Sequence, residues 1–246
     1  MVGPDLAGFP VRTRRGRIGN IAIPDRVHRM SFIPLKTPAP LLLRAHELVC
    51  ERDSEPLFAP VDLELSAGGL LVLEGVNGSG KTTLLRALLG LNPLRAQWLE
   101  FAGLEVLRER HGLRVGTLML GHLLGLKGDL SVRENLEFAL ALAGEPPAQD
   151  SDALFAELGL AGYEDTPTRA LSAGQRKRAA LARLAASARP LWLLDEPFAN
   201  LDAPGIALVE RLLARHRARG GGAIVSSHGL STSAGASAVL RLERAR

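Results

Sequence analysis

The sequence predicts an α/β fold built on a largely parallel sheet, and three observations carry that expectation. From about Leu41, short apolar runs alternate with stretches of helical periodicity, the pattern of strands joined by helical crossovers. One run, Leu70 to Leu73, opens into a glycine-rich turn and then a helix. Another, Leu191 to Leu194, ends in two adjacent carboxylates, Asp195 and Glu196.

Taken in order, the chain begins with a segment of different character. Residues 1–40 hold seven basic residues against Asp5 and Asp25, six of the fifteen prolines, and no sustained periodicity. They predict a disordered basic, proline-rich tail. The arginines there are not followed by a continuous apolar stretch, so no signal peptide is expected, and Met30 offers an alternative translation start. The tail carries +5 of a net charge of +4, which leaves −1 on the other 206 residues. A basic pI of this origin is weak support for a nucleic-acid partner. With 46% hydrophobic and 23% charged residues the composition is globular, and no apolar run nears the ~18 residues of a membrane span. The single cysteine, Cys50, excludes an internal disulfide and fits a reducing cytoplasm.

The body, 41–246, supplies the runs "LLLRAHELV", "VDLEL", "LLVLEG", "GTLML", "PLWLLDEP" and "GAIVSSH" as strands. After the third comes Gly75-Val76-Asn77-Gly78-Ser79-Gly80-Lys81-Thr82-Thr83 and a helix closed by Gly90. This is a phosphate-binding loop in its proper strand–turn–helix context. Glycines let successive backbone N–H groups wrap a phosphate without side-chain clash, and the helix N-terminus adds its positive dipole end. Lys81 is placed to reach the β- and γ-phosphates of a nucleotide, and the Thr82 hydroxyl to ligate Mg²⁺. The loop by itself does not separate a kinase, a GTPase or a transport ATPase.

Two adjacent acids at the end of a buried strand are costly without a shared cation or proton. Asp195 is therefore placed near Mg²⁺, and Glu196 becomes the candidate to polarise an attacking water. Upstream, "LSAGQRKRAALARLAA" sets Ser172 as an N-cap and Gly174 for close approach ahead of a long helix, a second N-terminus able to hold an anion. His228 follows a further apolar strand, 33 residues after Asp195. His122, in "LGHLLGLK", is open to four readings: metal ligand, base, switch or packed imidazole.

Together these motifs make the chain resemble the ATP-binding-cassette (ABC) ATPases over about Leu41 to Leu242. Its likeness rests on the phosphate loop, "LSAGQ" at Leu171–Gln175, Asp195-Glu196, "ANLD" ending at Asp202, and His228. The resemblance implies a P-loop NTPase fold of the ABC type with a helical subdomain inserted at about 123–170. It also implies a homodimer with two ATP molecules sandwiched between copies. Ser172, Gly174 and Gln175 of one copy would face the γ-phosphate held by Lys81 of the other. His228 would contact that phosphate, Asp202 would cross between copies, and His122 would take the place of a glutamine that links the nucleotide to the helical subdomain. The aromatic that commonly stacks on adenine is replaced by Glu51-Arg52, so Arg52 is either a stacking plane for the base or a surface arginine.

A chain with one cassette and no membrane span implies separate integral membrane permease subunits. Nine acids against three basic residues give the 123–170 insertion −6, which suits basic cytoplasmic loops or simply a solvated face. More narrowly, "LVCERDSEPLF", "LGHLLGLKGDLSVRENLEF", "LSAGQ" and "LDEPFANLD" resemble the CcmA family, the ATP-binding subunits of haem-exporting cytochrome c maturation systems. That likeness implies an ATPase, peripheral on the cytoplasmic side of the bacterial inner membrane, working with haem-export permease subunits. Neither direct haem binding, for which no CxxCH or histidine-rich set exists, nor direct nucleic-acid binding is expected. The alternatives are the ATP-binding subunit of another ABC transporter, or a soluble regulatory cassette acting on nucleic acid or ribosome.

Overall fold

The computed structural model describes residues 39–52, 55–227 and 235–244. β1 (Leu41–Arg52), the two-residue β2 (Glu55–Pro56) and β3 (Val61–Ser66) lead into β4 (Leu70–Glu74) and α1 (Lys81–Leu88). Next come β5 (Leu94–Arg95), β6 (Trp98–Phe101), β7 (Leu104–Glu105), α2 (His111–Val115) and β8 (Thr117–Leu120). Helices α3 (Val132–Ala143) and α4 (Ser151–Glu157) and a 3-10 turn at Thr168–Ala170 precede α5 (Ala173–Ala186). β9 (Leu191–Asp195), α6 (Ala203–Ala218), β10 (Gly222–Ser227) and β11 (Ala238–Arg241) complete the described elements.

Five strands form a wholly parallel sheet in the order β11-β4-β10-β9-β8. Both faces of such a sheet are covered, so its strands read as continuous apolar runs. All five residues of β9 are buried accordingly. Alternate residues go to opposite cores: Trp192 and Leu194 pack with α3, α4, α5 and α6, while Leu191 and Leu193 pack with α1 and β1.

The first two predicted strands do not join that sheet. β1 pairs antiparallel with β3 and β6, forming a second sheet of six strands. The physical reason is the short connection from Arg52 to Val61, which cannot hold the crossover helix that a parallel pairing needs. Instead β1 and β3 form a hairpin-like pair, and β3 alternates buried Leu63 and Leu65 with more exposed neighbours.

Between β8 and α5 the chain is helical. Ser131 opens α3 with a capping box: its hydroxyl accepts from Glu134 N at 3.1 Å, and Glu134 accepts from Ser131 N at 2.7 Å. Asn135 then donates to the carbonyls of Lys127, Leu130 and Ser131, fixing the approach to the helix. Among the described residues no helix is long and apolar enough to cross a membrane.

Candidate nucleotide site

Register brings the chemistry to one edge of the parallel sheet. Glu74 of β4 stands beside Ser227, Ser226 beside Asp195, and Leu120 beside Leu194. The carboxyl ends of β4, β10, β9 and β8 therefore align, the edge at which open α/β sheets bind ligands.

The loop from Gly75 to Gly80 leaves β4 and enters α1 there. Gly80 precedes the helix at φ 102°, and a Cβ on it would lie 2.8 Å from the Phe58 ring. Gly75 has φ 155°, and its Cβ would lie 2.6 Å from the Leu242 carbonyl. Only glycine suits either place. Lys81 folds back over the loop, donating to the carbonyls of Gly75 at 2.6 Å and Val76 at 3.2 Å. Burial pulls its ammonium below the ordinary lysine range, and Glu196 and Asp195 oppose that shift. Ser79 is fully buried, and among the described residues its hydroxyl has no hydrogen-bond partner. Val76 and Asn77 are exposed, Thr83 is half-buried on α1, and the Asn77 carbonyl accepts from Arg244 at 2.8 Å.

Across the edge, the Thr82 hydroxyl donates to Asp195 Oδ2 at 2.8 Å. Ser226 donates to Asp195 Oδ1 at 2.7 Å and accepts from Glu196 N at 2.9 Å. Asp195 is a buried carboxylate with a hydroxyl on each oxygen, an arrangement that lowers the cost of its burial. A hydroxyl and a carboxylate side by side are hard oxygen donors, the set Mg²⁺ accepts beside phosphate oxygens and water. Glu196 adopts φ 51°, left-handed for a non-glycine residue, and its carbonyl accepts from Ala199 N at 3.2 Å and Lys177 Nζ at 3.3 Å.

Ser172 and Gln175 cap α5 reciprocally. Gln175 N donates to the Ser172 hydroxyl at 3.2 Å, and Ser172 N donates to the Gln175 side chain at 2.9 Å. Among the described residues, and apart from its own helix turn, nothing lies within 4 Å of where a Gly174 Cβ would be, so these contacts do not require glycine there. Asp202 caps α6, accepting from Gly205 N at 2.9 Å.

His122 follows β8 and is exposed. It lies two residues beyond Leu120, the last residue of β8 and the neighbour of Leu194. Among the described residues no cluster of three or more His, Cys, Asp or Glu could hold a metal. Arg52 ends β1, exposed and in register with Glu55. His228 and nearly all of the 1–40 tail lie outside the described residues. Ser226 and Lys177 are the site residues that sequence reasoning missed. For Ser226 the available signal was a pair of hydroxyl residues closing the apolar run of β10.

The structure thus brings Lys81, Thr82, Asp195 and Glu196 together where strand, loop and helix meet, which defines the class: a P-loop nucleotide-binding domain. A family profile described as ABC transporter matches residues 58–199, more than half of the chain. The chain is 50% identical over 196 residues to the cytochrome c biogenesis ATP-binding export protein CcmA of Xanthomonas axonopodis pv. citri, covering 80% of this chain and 90% of that one. It is 47% identical over 188 residues to CcmA of Methylococcus capsulatus, covering 76% and 90%. Among solved structures it is similar to an ATP-binding subunit of an ABC transporter, with TM-score 0.73, 21% identity, and coverage of 82% and 86%. The chain belongs to the ABC transporter ATP-binding proteins and, within them, to the CcmA family.

Proposed function

We propose that this protein is the ATP-hydrolysing subunit of a membrane transporter complex that exports haem for cytochrome c maturation. The observation that carries the reading is the Thr82–Asp195 contact, which ties the phosphate loop to the acid at the end of β9. Family membership supplies the transport context. The nucleotide is ATP, cradled by backbone N–H groups of 77–81, with Gly75, Val76 and Thr83 completing the loop and Lys81 reaching its terminal phosphates.

Thr82 and Asp195 would hold Mg²⁺, which supplies charge neutralisation at the phosphate oxygens. Glu196, at the strand end beyond Asp195, orients the attacking water and takes its proton as general base. Its left-handed backbone turns the chain out of β9 at the site. Ser172, Gly174 and Gln175 belong to a second copy's nucleotide. Gly174, open on its own chain, leaves room for that partner's phosphate. His228 contacts the γ-phosphate, His122 links the site to the helices of 123–170, and Arg52 stacks on the base. Permease subunits dock on that helical region, and the protein is peripheral on the cytoplasmic face of the bacterial inner membrane.

Complementation tests this directly. In a strain lacking the gene, the wild-type chain should restore holocytochrome c and co-purify with membrane subunits, whereas Glu196→Gln should co-purify without restoring it. Full restoration by Glu196→Gln, or salt-sensitive nucleic-acid binding without membrane association, would overturn the reading.

A further inference from the structure

We propose that Lys177 is a positioning residue for Glu196, linking the α5 N-terminal turn to the hydrolytic edge of the same chain. This rests on the reading of Glu196 as the group that orients water. A non-glycine residue in left-handed backbone persists only where its surroundings hold it. Glu196 is held on its N–H by the Ser226 hydroxyl, and on its carbonyl by Ala199 N and Lys177 Nζ.

The Ala199 contact is local to the turn and belongs to its own shape. Ser226 comes from the neighbouring strand, β10. Lys177 alone of the three comes from α5, five residues from Ser172, within the first two turns of that helix. A shift of the α5 N-terminus therefore moves a donor bonded to the main chain of Glu196.

The lysine is expensive where it stands. Burial pushes its ammonium below the ordinary lysine range, with Glu196 and Asp195 opposing. A neutral side chain of similar length would fill the space at lower cost. The charge earns a reason at this place because Asp195 and Glu196 stand side by side. A cation between α5 and their strand end lowers the repulsion between them.

Lys177→Met keeps the length and removes the donor and the charge, Lys177→Arg keeps both, and Lys177→Gln keeps a neutral donor. The variants are measured in the full-length chain purified with its membrane subunits. For Lys177→Met, kcat should fall about 10- to 100-fold, while the KM for ATP and the Kd of a fluorescent ATP analogue stay within about twofold. Lys177→Arg should recover most of kcat. In a Glu196→Gln background, Lys177→Met should lower the single-turnover rate no further, because both changes act through one group.

Should the methionine variant melt below the assay temperature, Lys177→Gln carries the same test with a smaller loss. Wild-type kcat in Lys177→Met (or in Lys177→Gln where that stands in), an equal loss of ATP binding, or additivity with Glu196→Gln would overturn the proposal. Full turnover by Glu196→Gln alone would instead remove the reading of Glu196, and this inference with it.

Discussion

Thr82 and Asp195 stand 113 positions apart in sequence and 2.8 Å apart in space. Such a contact depends on the parallel sheet, where β10 stands between β4 and β9, and on the packing of α1 against β9. Asp195 shows how a buried acid is accommodated by neutral hydroxyls from two directions. Exposure gives His122 a different standing. It is not a packed-core imidazole, and it stands just beyond the carboxyl end of β8, the strand beside β9. A neutral imidazole offers one donor and one acceptor, as an amide does. His122→Ala should therefore lower ATP turnover of the assembled complex by about 3- to 10-fold while leaving ATP affinity within twofold, and His122→Gln should be tolerated. Steady-state kinetics on the complex checks this. Wild-type turnover in the alanine variant would return His122 to an ordinary surface role.

At the scale of elements, two caps separate stability from function. Ser131 caps α3 and Asp202 caps α6, each by accepting from a backbone N–H three residues on. Loss of either cap should cost about 1 kcal/mol, a fall in Tm of about 2–4 °C for a chain of this size. Ser131→Ala should leave turnover near wild type. Asp202→Ala should lose a similar stability, and it should lose turnover beyond that only if Asp202 also acts between copies. Thermal melts beside ATPase rates decide it.

The phosphate loop, β9 with its acids, and the α5 cap were legible because each is a local pattern: a fixed spacing of glycines, an apolar run with its last residue charged, a serine three before a glutamine. The antiparallel sheet was not, because the partner of β1 is set by connection length and by distant strands. Ser226 and Lys177 escaped for the same reason. Their roles arise from β10 lying beside β9 and from α5 reaching over the strand end. Arg52 ends β1 in register with Glu55, and its part in holding the base is a matter for a nucleotide-bound state.

On the scale of the molecule, one domain edge gathers the phosphate loop, both acids, Ser226 and the start of the helical region. The two cores on either side of the parallel sheet make that edge a rigid frame, with alternate residues of β9 anchored in each. Hydrolysis at such a frame is the central claim, and it depends on a single carboxylate. The most direct test compares Glu196→Gln with the wild type in the assembled complex, measuring Mg-ATP binding and ATP turnover on the same preparation. Glutamine keeps the volume of the side chain and removes its capacity to take a proton. The account predicts binding within about threefold of wild type and turnover reduced by about 100-fold or more. Turnover at the wild-type rate, with ATP bound as tightly, would contradict it.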